Sequence, residues 1–252
     1  MAGEAPVETG ETVRVDVLVF DGCRHADAAL RLARAVSGRL GPGIAVDRVE
    51  VDSAEEAAKV GFVGSPSIRV NGMDIEGRTT DAGSLCCRTY EGGSGIPPEW
   101  LVEAAVLRAF SPRGVLFLCV ANSARSQMAE GIARFLAQPG VRVWSAGSRP
   151  TRVRPEAIAA LAEIGIDIAR HRSKAVSEIL AAEVDTVITL CGEEECPVFL
   201  GRARRLHWGL PDPAGVEGSE ADRADAFRRT RDELRRRLAV VFARDAPGAL
   251  QP

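Results

Sequence analysis

The sequence predicts an α/β protein of two domains. Short apolar runs with strand character alternate twice with helical patterns along the 252 residues, and Ser-Pro-Arg-Gly at residues 111–114 separates the two sets. A chain of this length is sufficient for two ordinary domains. Because strands that alternate with helices favour parallel pairing, we expect a parallel sheet in each domain. The two halves share no internal repeat and are predicted to be different domains.

The first domain is expected over residues 13–110, after a flexible N-terminus at residues 1–12. Turn-forming residues end its elements: Gly-Pro-Gly at 41–43 ends the first helix, and Asn71-Gly72 predicts a hairpin. Ser53 and Glu56 form the capping-box pattern that starts a short helix. The elements in order are a strand at 13–20, a helix at 26–40, a strand at 44–51, the short helix after Ser53, a strand at 67–70 and a helix after Pro97-Pro98.

The second domain is expected over residues 111–245, before a C-terminal tail at 246–252. Its aromatic residues Phe135 and Trp144 are predicted to lie in the core. The arginine-rich end of the last helix also contains acidic residues, a pattern typical of a solvated helix face. The elements in order are a strand at 114–118, a helix at 127–136, a strand at 141–146, helices at 155–164 and 175–182, strands at 186–190 and 204–208, and a helix at 221–242.

Composition limits the partners and the location. The formal net charge of −3 argues against nucleic-acid binding, and no apolar run approaches the roughly 18 residues that span a membrane. The first residues are acidic and polar, unlike a signal peptide, so we expect a cytoplasmic protein. Six cysteines in such a chain are more typical of catalysis, redox chemistry or metal binding than of structural disulfides.

The most informative segment begins at Cys119 and ends at Ser126. A cysteine, five intervening residues, an arginine and a hydroxyl residue lie on a strand-to-helix turn. Backbone N–H groups at such a turn converge on one point and favour negative charge there, and Arg125 adds a planar two-pronged donor. The same positive field favours the nucleophilic thiolate of Cys119. The segment therefore predicts an oxyanion-binding cradle with a nucleophile inside it.

Three further residues of the second domain suggest the chemistry. Cys191 follows a predicted strand, and Cys196 comes after a short acidic loop. A phosphatase needs one nucleophilic cysteine, whereas a relay by thiol–disulfide exchange needs more. The residues alone leave open that these are incidental loop thiols or half of a metal site. Asp212 lies between two prolines, where a stiff loop would hold a general acid, although a simple turn residue fits the same position.

These motifs resemble those of the thioredoxin-coupled arsenate reductases, which are built on the fold of the low-molecular-weight tyrosine phosphatases. The resemblance covers residues 114–245, about half of the chain. Phosphatases of this fold typically have Ser-Pro where this chain has Ser126-Gln127, and a second cradle cysteine at the position of Ala124. The matching stretches are CVANSARSQMAEG from Cys119, SAG from Ser145, ITLC from Ile188, Cys196-Pro197, HWGLPDPAG from His207 and RDEL from Arg231.

The resemblance implies reduction of arsenate to arsenite by a cysteine relay that needs no cofactor or metal. Cys119 attacks arsenate that is held by Asn122, Ser123, Arg125, Ser126 and backbone N–H groups, while Asp212 protonates the departing oxygen. Cys191 then displaces arsenite and forms a disulfide with Cys119. Cys196 moves that disulfide outward, and a thioredoxin-type reductant, external or within the same chain, resets it. The spacing between Cys191 and Cys196 is short for this family.

One position departs from the family pattern. Asn122, Glu130 and Ser145 match residues that bind potassium near the cradle in some members. The fourth ligand there is an aspartate, which is replaced here by Lys174. A lysine ammonium group can take the place of the cation and support the cradle directly. We therefore predict no potassium dependence, against the alternative of a surface lysine without a role.

Residues 13–110 resemble a thioredoxin-like fold, less specifically. The resemblance rests on a strand, on Cys23 at the entrance to the first helix, and on Ser65-Pro66 before a strand, where the proline is expected to be cis. Alanine replaces the usual second cysteine. Cys86 and Cys87 form a vicinal pair that could resolve a disulfide on Cys23 or bind a soft ion such as arsenite, or the three could be unreactive.

Two alternatives remain open beside the arsenate reductase. The first is a phosphatase acting on phosphotyrosine or small phosphate esters, in which Cys191 and Cys196 would be idle. The second is a thiol-based arsenite- or mercury-binding protein without turnover. Neither alternative involves nucleic acid or a membrane.

Overall fold

The computed structural model describes residues 12–80, 85–192 and 198–242. The predicted N-terminal segment and C-terminal tail, and the acidic loop with Cys196, therefore lie almost entirely outside the described residues. The chain divides into two compact units between Pro98 and Glu99. Among the described residues, no helix is both long and apolar enough to cross a membrane.

The first unit contains a four-stranded mixed sheet in the order β2-β1-β3-β4. Strand β1 pairs in parallel with β2 and antiparallel with β3, so the prediction of a parallel sheet here is wrong. The Asn71-Gly72 hairpin is confirmed. Both residues adopt positive φ, and this tight turn makes β3 and β4 antiparallel. The elements are β1 Val13–Val19, α1 Ala26–Leu40, β2 Ile44–Glu50, α2 Ala54–Lys59, β3 Ser67–Val70 and β4 Met73–Asp74.

The second unit contains a four-stranded sheet in the order β6-β5-β7-β8, with every pair parallel as predicted. Every residue of β5 is buried, as expected for a central parallel strand. Residues 175–182 form two 3₁₀ turns rather than the predicted helix, Val176–Glu178 and Ala181–Glu183. The other elements are α3 Glu99–Ala109, β5 Gly114–Cys119, α4 Arg125–Leu136, β6 Arg142–Gly147, α5 Pro155–Ala162, β7 Thr186–Thr189, β8 Arg204–His207 and α6 Glu220–Phe242.

Helix α3 belongs to the second unit, whereas the sequence placed it at the end of the first domain. It packs on α6 through an arginine–aromatic stack, with the Arg236 guanidinium 4.6 Å from the centre of the Trp100 ring. The Trp208 Nε1 group also donates to the buried carboxylate of Glu103 at 3.1 Å. These contacts explain why the division precedes the Ser-Pro-Arg-Gly stretch that the sequence suggested.

Helix α4 is buried from its first residue through Ala133 and leaves the core in its last turn. Phe135 is 69% exposed, so its predicted core position is wrong. Trp144 is partly buried against the cluster around Leu116 and Leu118. The helix starts at Arg125, two residues before the predicted start, which places the guanidinium-bearing residue in its first turn.

Candidate active site

The loop between β5 and α4 turns its carbonyl groups outward. The carbonyl oxygens of Val120, Ala121 and Ser123 accept hydrogen bonds of 2.9–3.1 Å from the backbone N–H groups of Arg149, Thr151 and Arg154. The carbonyl of Asn122 accepts from the Ser173 hydroxyl at 2.7 Å. Because C=O and N–H point in opposite directions across a trans peptide, the N–H groups of residues 121–124 point to the inside of the loop. Such convergent N–H groups bind anions.

Gly147 at the end of β6 lets this loop approach the sheet. A Cβ atom at this position would overlap the Val120 oxygen and lie 2.8 Å from the Asn122 nitrogen. Both are backbone atoms, which cannot rotate away as a side chain can. The glycine of the Ser-Ala-Gly motif is therefore needed for the shape of the cradle.

Cys119 ends β5 at the floor of the cradle and is almost fully buried. Its Sγ atom lies 2.9 Å from the Ser126 Oγ atom in the first turn of α4. The Ser126 hydroxyl also accepts from Asn122 Nδ2 at 2.8 Å. Ser126 thus contacts the nucleophile, and a second side chain holds it in place. The side chain of Ser123 is also buried in the loop.

The Asn122 side chain holds the loop from within. Its amide donates to Ser126 and Ser145, both at 2.8 Å, and its Oδ1 atom accepts from Gln127 Nε2 and from the Lys174 backbone N–H. Asn122 itself adopts a left-handed conformation, with φ of 45°. Because its side chain is fully engaged, only its backbone N–H can contribute to oxyanion binding.

A buried carboxylate lies behind the cradle. Glu130 on α4 is 1% exposed and accepts a hydrogen bond from the Ser145 hydroxyl. Lys174 Nζ lies 3.1 Å from the same carboxylate oxygen, and Arg134 binds the other oxygen at 2.6 Å. The Lys174 side chain is only 14% exposed, so it is not a surface lysine. The resemblance assigns a potassium ion to the site formed by Asn122, Glu130 and Ser145. The Lys174 ammonium group already occupies this site, so these residues do not fit an added cation.

Gln127 and His171 complete the support and were missed from the sequence as site residues. Gln127 Nε2 donates to the Arg172 carbonyl at 2.9 Å, and its Oε1 atom lies 3.0 Å from His171 Nδ1. Burial lowers the pKa of His171, with Arg134 and Lys174 lowering it further and Glu130 opposing them. The sequence did contain one signal for Gln127. It follows Ser126 directly at the start of a helix, next to the cradle, where a polar side chain is expected to bind the loop.

Arg125 and Asp212 meet at the mouth of the site. The buried Arg125 guanidinium donates to the Leu210 carbonyl at 2.9 Å, and its Nη2 atom lies 3.6 Å from Asp212 Oδ1. Asp212 is 42% exposed and caps the short turn Pro213–Gly215 by accepting from the Ala214 N–H. The predicted anion-binding arginine and the predicted general acid are thus neighbours in the structure.

Cys191 lies at the same edge of the sheet as the nucleophile. Leu118 of β5 pairs with Thr189 of β7, and the Leu190 N–H donates to the Leu118 carbonyl at 2.8 Å. Cys119 therefore ends β5, and Cys191 comes two residues after β7, at the same end of two adjacent strands. Cys191 is fully buried. Cys196 lies outside the described residues.

The cysteines of the first unit group around Ser65. Backbone hydrogen bonds join Ser65 to the segment with Cys86 and Cys87, and the Ser65 Oγ atom accepts from the Phe20 N–H at the end of β1. Cys23 is half-buried three residues before α1, whereas Cys86 and Cys87 are exposed. The Ser65–Pro66 peptide is cis. Among the described residues, no group of three or more His, Cys, Asp or Glu side chains is placed to hold a metal ion.

A buried ion pair anchors the vicinal cysteines, and the sequence analysis missed it. The Arg88 side chain is fully buried and donates to Asp74 at 2.5 and 2.9 Å and to Glu76 at 2.8 Å. It also lies over the Tyr90 ring, at 4.4 Å from the centre. This cluster fixes the chain directly after Cys87, the residue that bridges to Ser65.

Comparison with known proteins identifies the second unit. Residues 114–245 match the family of low molecular weight phosphotyrosine protein phosphatases. An arsenate reductase of Halalkalibacterium halodurans is 41% identical over 126 residues, which is 49% of this chain and 91% of that protein. An arsenate reductase of Bacillus subtilis is 40% identical over 126 residues, which is again 49% of this chain and 91% of that protein. A solved arsenate reductase in the phosphate-binding state is 36% identical, with a TM-score of 0.44, and covers 52% of this chain and 97% of its own.

The matched residues contain every part of the cradle described above. They begin at the first residue of β5 and continue through α6, and they contain Cys119, Arg125, Cys191 and Asp212. This half of the chain covers 91% of each of these two curated arsenate reductases. The chain belongs, through its second unit, to the low molecular weight phosphotyrosine protein phosphatase family.

Proposed function

We propose that this protein reduces arsenate to arsenite by a relay of cysteine thiols. The observation that carries the proposal is the position of Cys191, two residues after the strand that pairs with the one ending in Cys119. The cradle alone would serve a phosphatase, but a second buried thiol beside the nucleophile suits disulfide exchange. This half of the chain also covers 91% of two curated relatives, and both are named arsenate reductases.

The first step is attack by the Cys119 thiolate on the arsenic atom. The inward N–H groups and Arg125 bind the oxyanion, and the charge they stabilise grows in the transition state. Asp212 gives a proton to the oxygen that leaves as water. The product is a covalent thiol–arsenate adduct in which arsenic is still pentavalent.

The second step reduces arsenic. The Cys191 thiolate attacks the Cys119 sulfur, the sulfur–arsenic bond breaks, and its electron pair stays on arsenic, which leaves as arsenite. A Cys119–Cys191 disulfide remains, so two thiols have supplied the two electrons. Cys196 then attacks Cys191, which regenerates the Cys119 thiolate and leaves a Cys191–Cys196 disulfide. Because Cys191 is buried, its segment has to move during these steps.

The final disulfide needs a dithiol reductant. We propose a thioredoxin-type protein, with the first unit of this chain as the alternative source. The first unit supports the latter role through Cys23 at the entrance to α1, the cis Ser65–Pro66 peptide and the nearby vicinal pair. Covalent linkage would raise the local thiol concentration to roughly millimolar if the geometry allows contact. Because this cycle needs reduced thiols, we propose a cytoplasmic location.

Phosphatase activity is the second candidate function. The cradle, Cys119 and Asp212 suffice for hydrolysis of a phosphate ester through a thiol-phosphate intermediate. In that reaction Cys191 has no chemical role. The two functions therefore differ in their need for this residue.

The test is a single turnover of the full-length reduced protein. One equivalent of arsenate is added, thiols are alkylated, arsenite is measured and disulfides are mapped by mass spectrometry. We expect arsenite with a Cys191–Cys196 disulfide in the parent, and a Cys119–Cys191 disulfide in Cys196→Ser. Cys191→Ser should release no arsenite.

Cys87→Ser is the matched control, because it removes an exposed thiol of the first unit. It should leave the amount of arsenite released in the single turnover unchanged, because any role of this thiol as a reductant comes after arsenite has left. Unmodified thiols in the parent, together with hydrolysis of an aryl phosphate that survives Cys191→Ser, would instead establish the phosphatase.

A further inference from the structure

The segment that surrounds the outside of the cradle carries three arginines. Arg149, Arg152 and Arg154 all lie between β6 and α5, and all three are exposed. We call these three residues the arginine collar. The chain as a whole has a formal net charge of −3, so this local positive charge is not a property of the overall composition.

Backbone hydrogen bonds hold the collar against the cradle. Arg149 N–H donates to the Val120 carbonyl and Arg154 N–H to the Ser123 carbonyl, both at 2.9 Å, and Thr151 N–H donates to the Ala121 carbonyl at 3.1 Å. Thus each collar arginine either bonds the anion-binding loop directly or neighbours a residue that does. Their side chains are exposed, and their backbone borders the loop whose N–H groups point inward.

The collar charges are not neutralised by the carboxylates that the structure describes. Other exposed arginines of this unit are paired: Arg142 with Glu183, Arg172 with Glu178 and Arg228 with Glu163. Within residues 12–80, 85–192 and 198–242, no ion pair involves Arg149, Arg152 or Arg154. Three charges placed together without described partners produce a positive potential at this edge of the sheet.

We propose that the arginine collar attracts the doubly charged oxyanion substrate to the cradle and sets its affinity. The collar contributes through its field rather than by contact with reacting atoms. Its effect therefore appears in KM, whereas kcat depends on Cys119, Arg125 and Asp212 inside the cradle. The proposal rests on the proposed function for the identity of the oxyanion and concerns the same site.

The size of the effect depends on salt. We take three unit charges, each about 10 Å from a dianion in water. At 0.15 M ionic strength their screened attraction raises the affinity for the dianion about threefold. At 0.01 M, where the screening length is about 30 Å, the same charges correspond to about twentyfold. A steep dependence on ionic strength thus distinguishes a field effect from a structural one.

The experiment compares the full-length parent with a variant carrying Arg149→Gln, Arg152→Gln and Arg154→Gln. KM and kcat for arsenate are measured at 0.01 and 0.15 M ionic strength. Binding of inorganic phosphate is measured in parallel, as protection of Cys119 from the neutral alkylator iodoacetamide. The phosphate measurement needs no turnover, so it reports on the collar even if arsenate is not reduced.

The matched control carries Arg113→Gln, Arg202→Gln and Arg235→Gln. All three residues are exposed. Arg113 and Arg202 precede β5 and β8, at the opposite end of the parallel strands from the cradle, and Arg235 lies far along α6 from the Asp212 loop. This variant loses the same charge elsewhere. A third variant replaces the collar arginines by lysines, which restore the charge.

We expect the collar glutamine variant to raise KM and the phosphate concentration for half-protection by about twentyfold at low salt and about threefold at 0.15 M. Its kcat should stay within twofold of the parent, and the lysine variant should match the parent. An unchanged phosphate affinity at low salt would overturn the proposal. Equal losses in the control variant, or a loss that lysine does not restore, would also overturn it.

Discussion

Lys174 offers the sharpest test of how the cradle is supported. Its ammonium group lies 3.1 Å from the Glu130 carboxylate, which also accepts from Ser145 behind the loop. Lys174→Met removes the charge and keeps an unbranched side chain. Lys174→Asp places a carboxylate at the position that the resemblance assigned to a potassium ligand. The two variants therefore separate the need for a cation from the need for this residue.

The expected loss follows from the partners that remain. Glu130 is 1% exposed, and leaving such a charge wholly unpaired costs about 3–5 kcal/mol. Here Arg134 still binds the second carboxylate oxygen at 2.6 Å. We therefore expect Lys174→Met to lower the free energy of unfolding by about 2 kcal/mol, the value of one hydrogen bond to a charged group.

The assay is urea unfolding and arsenate turnover in potassium and in sodium chloride at equal ionic strength. The parent should behave alike in both salts. Lys174→Asp should be less stable than Lys174→Met in sodium, because two carboxylates then face each other, and potassium should restore part of the loss. Lys59→Met is the control, since it removes the only other lysine, an exposed residue of the first unit.

A severalfold rise of the parent's activity in potassium over sodium would show that Lys174 does not replace the cation. So would an unfolding free energy of Lys174→Met equal to that of Lys59→Met, because the ammonium group would then contribute nothing to the buried carboxylate.

Two further predictions concern the cradle's surroundings. Because burial lowers the pKa of His171, the unfolded chain takes up a proton more readily, so stability should fall between pH 7.5 and 5.5. His171→Asn should weaken this dependence in urea unfolding, whereas His207→Asn should retain it; equal dependence in both would contradict the prediction. Gly147→Ala should lower arsenate turnover about a hundredfold, since its Cβ would displace the Val120 carbonyl, whereas Gly38→Ala, with no atom within 4 Å, should retain parent turnover.

The cradle was predictable because its parts are close in sequence. Cys119, Arg125 and Ser126 lie on one strand-to-helix turn, and the loop conformation follows from local backbone geometry. The parallel sheet of the second unit followed from the alternation of strands and helices. The hairpin at Asn71-Gly72 was predictable because its turn is also set by adjacent residues. A hairpin makes its two strands antiparallel, and this consequence was overlooked when a parallel sheet was predicted for the first unit.

The remaining features depend on contacts between distant residues. No sequence pattern brings Lys174 to Glu130, 44 positions apart; only the resemblance suggested that meeting. Phe135 was assigned to the core by residue type, but α4 leaves the core after Ala133 and exposes its last turn. The placement of α3 with the second unit likewise depends on Trp208 and Arg236, more than a hundred residues away.

The support of the cradle explains why residues outside it should matter as much as those within. N–H groups that point at one spot repel each other, so a loop of this shape is unfavourable without an anion. Here three separate segments hold its carbonyls: residues 149–154, Gln127 and Ser173. The N–H groups are thus fixed before substrate arrives, and little reorganisation remains for the reaction itself. The same bonds that fix the loop also fix the collar arginines around it, so preorganisation and attraction of the oxyanion have one structural origin.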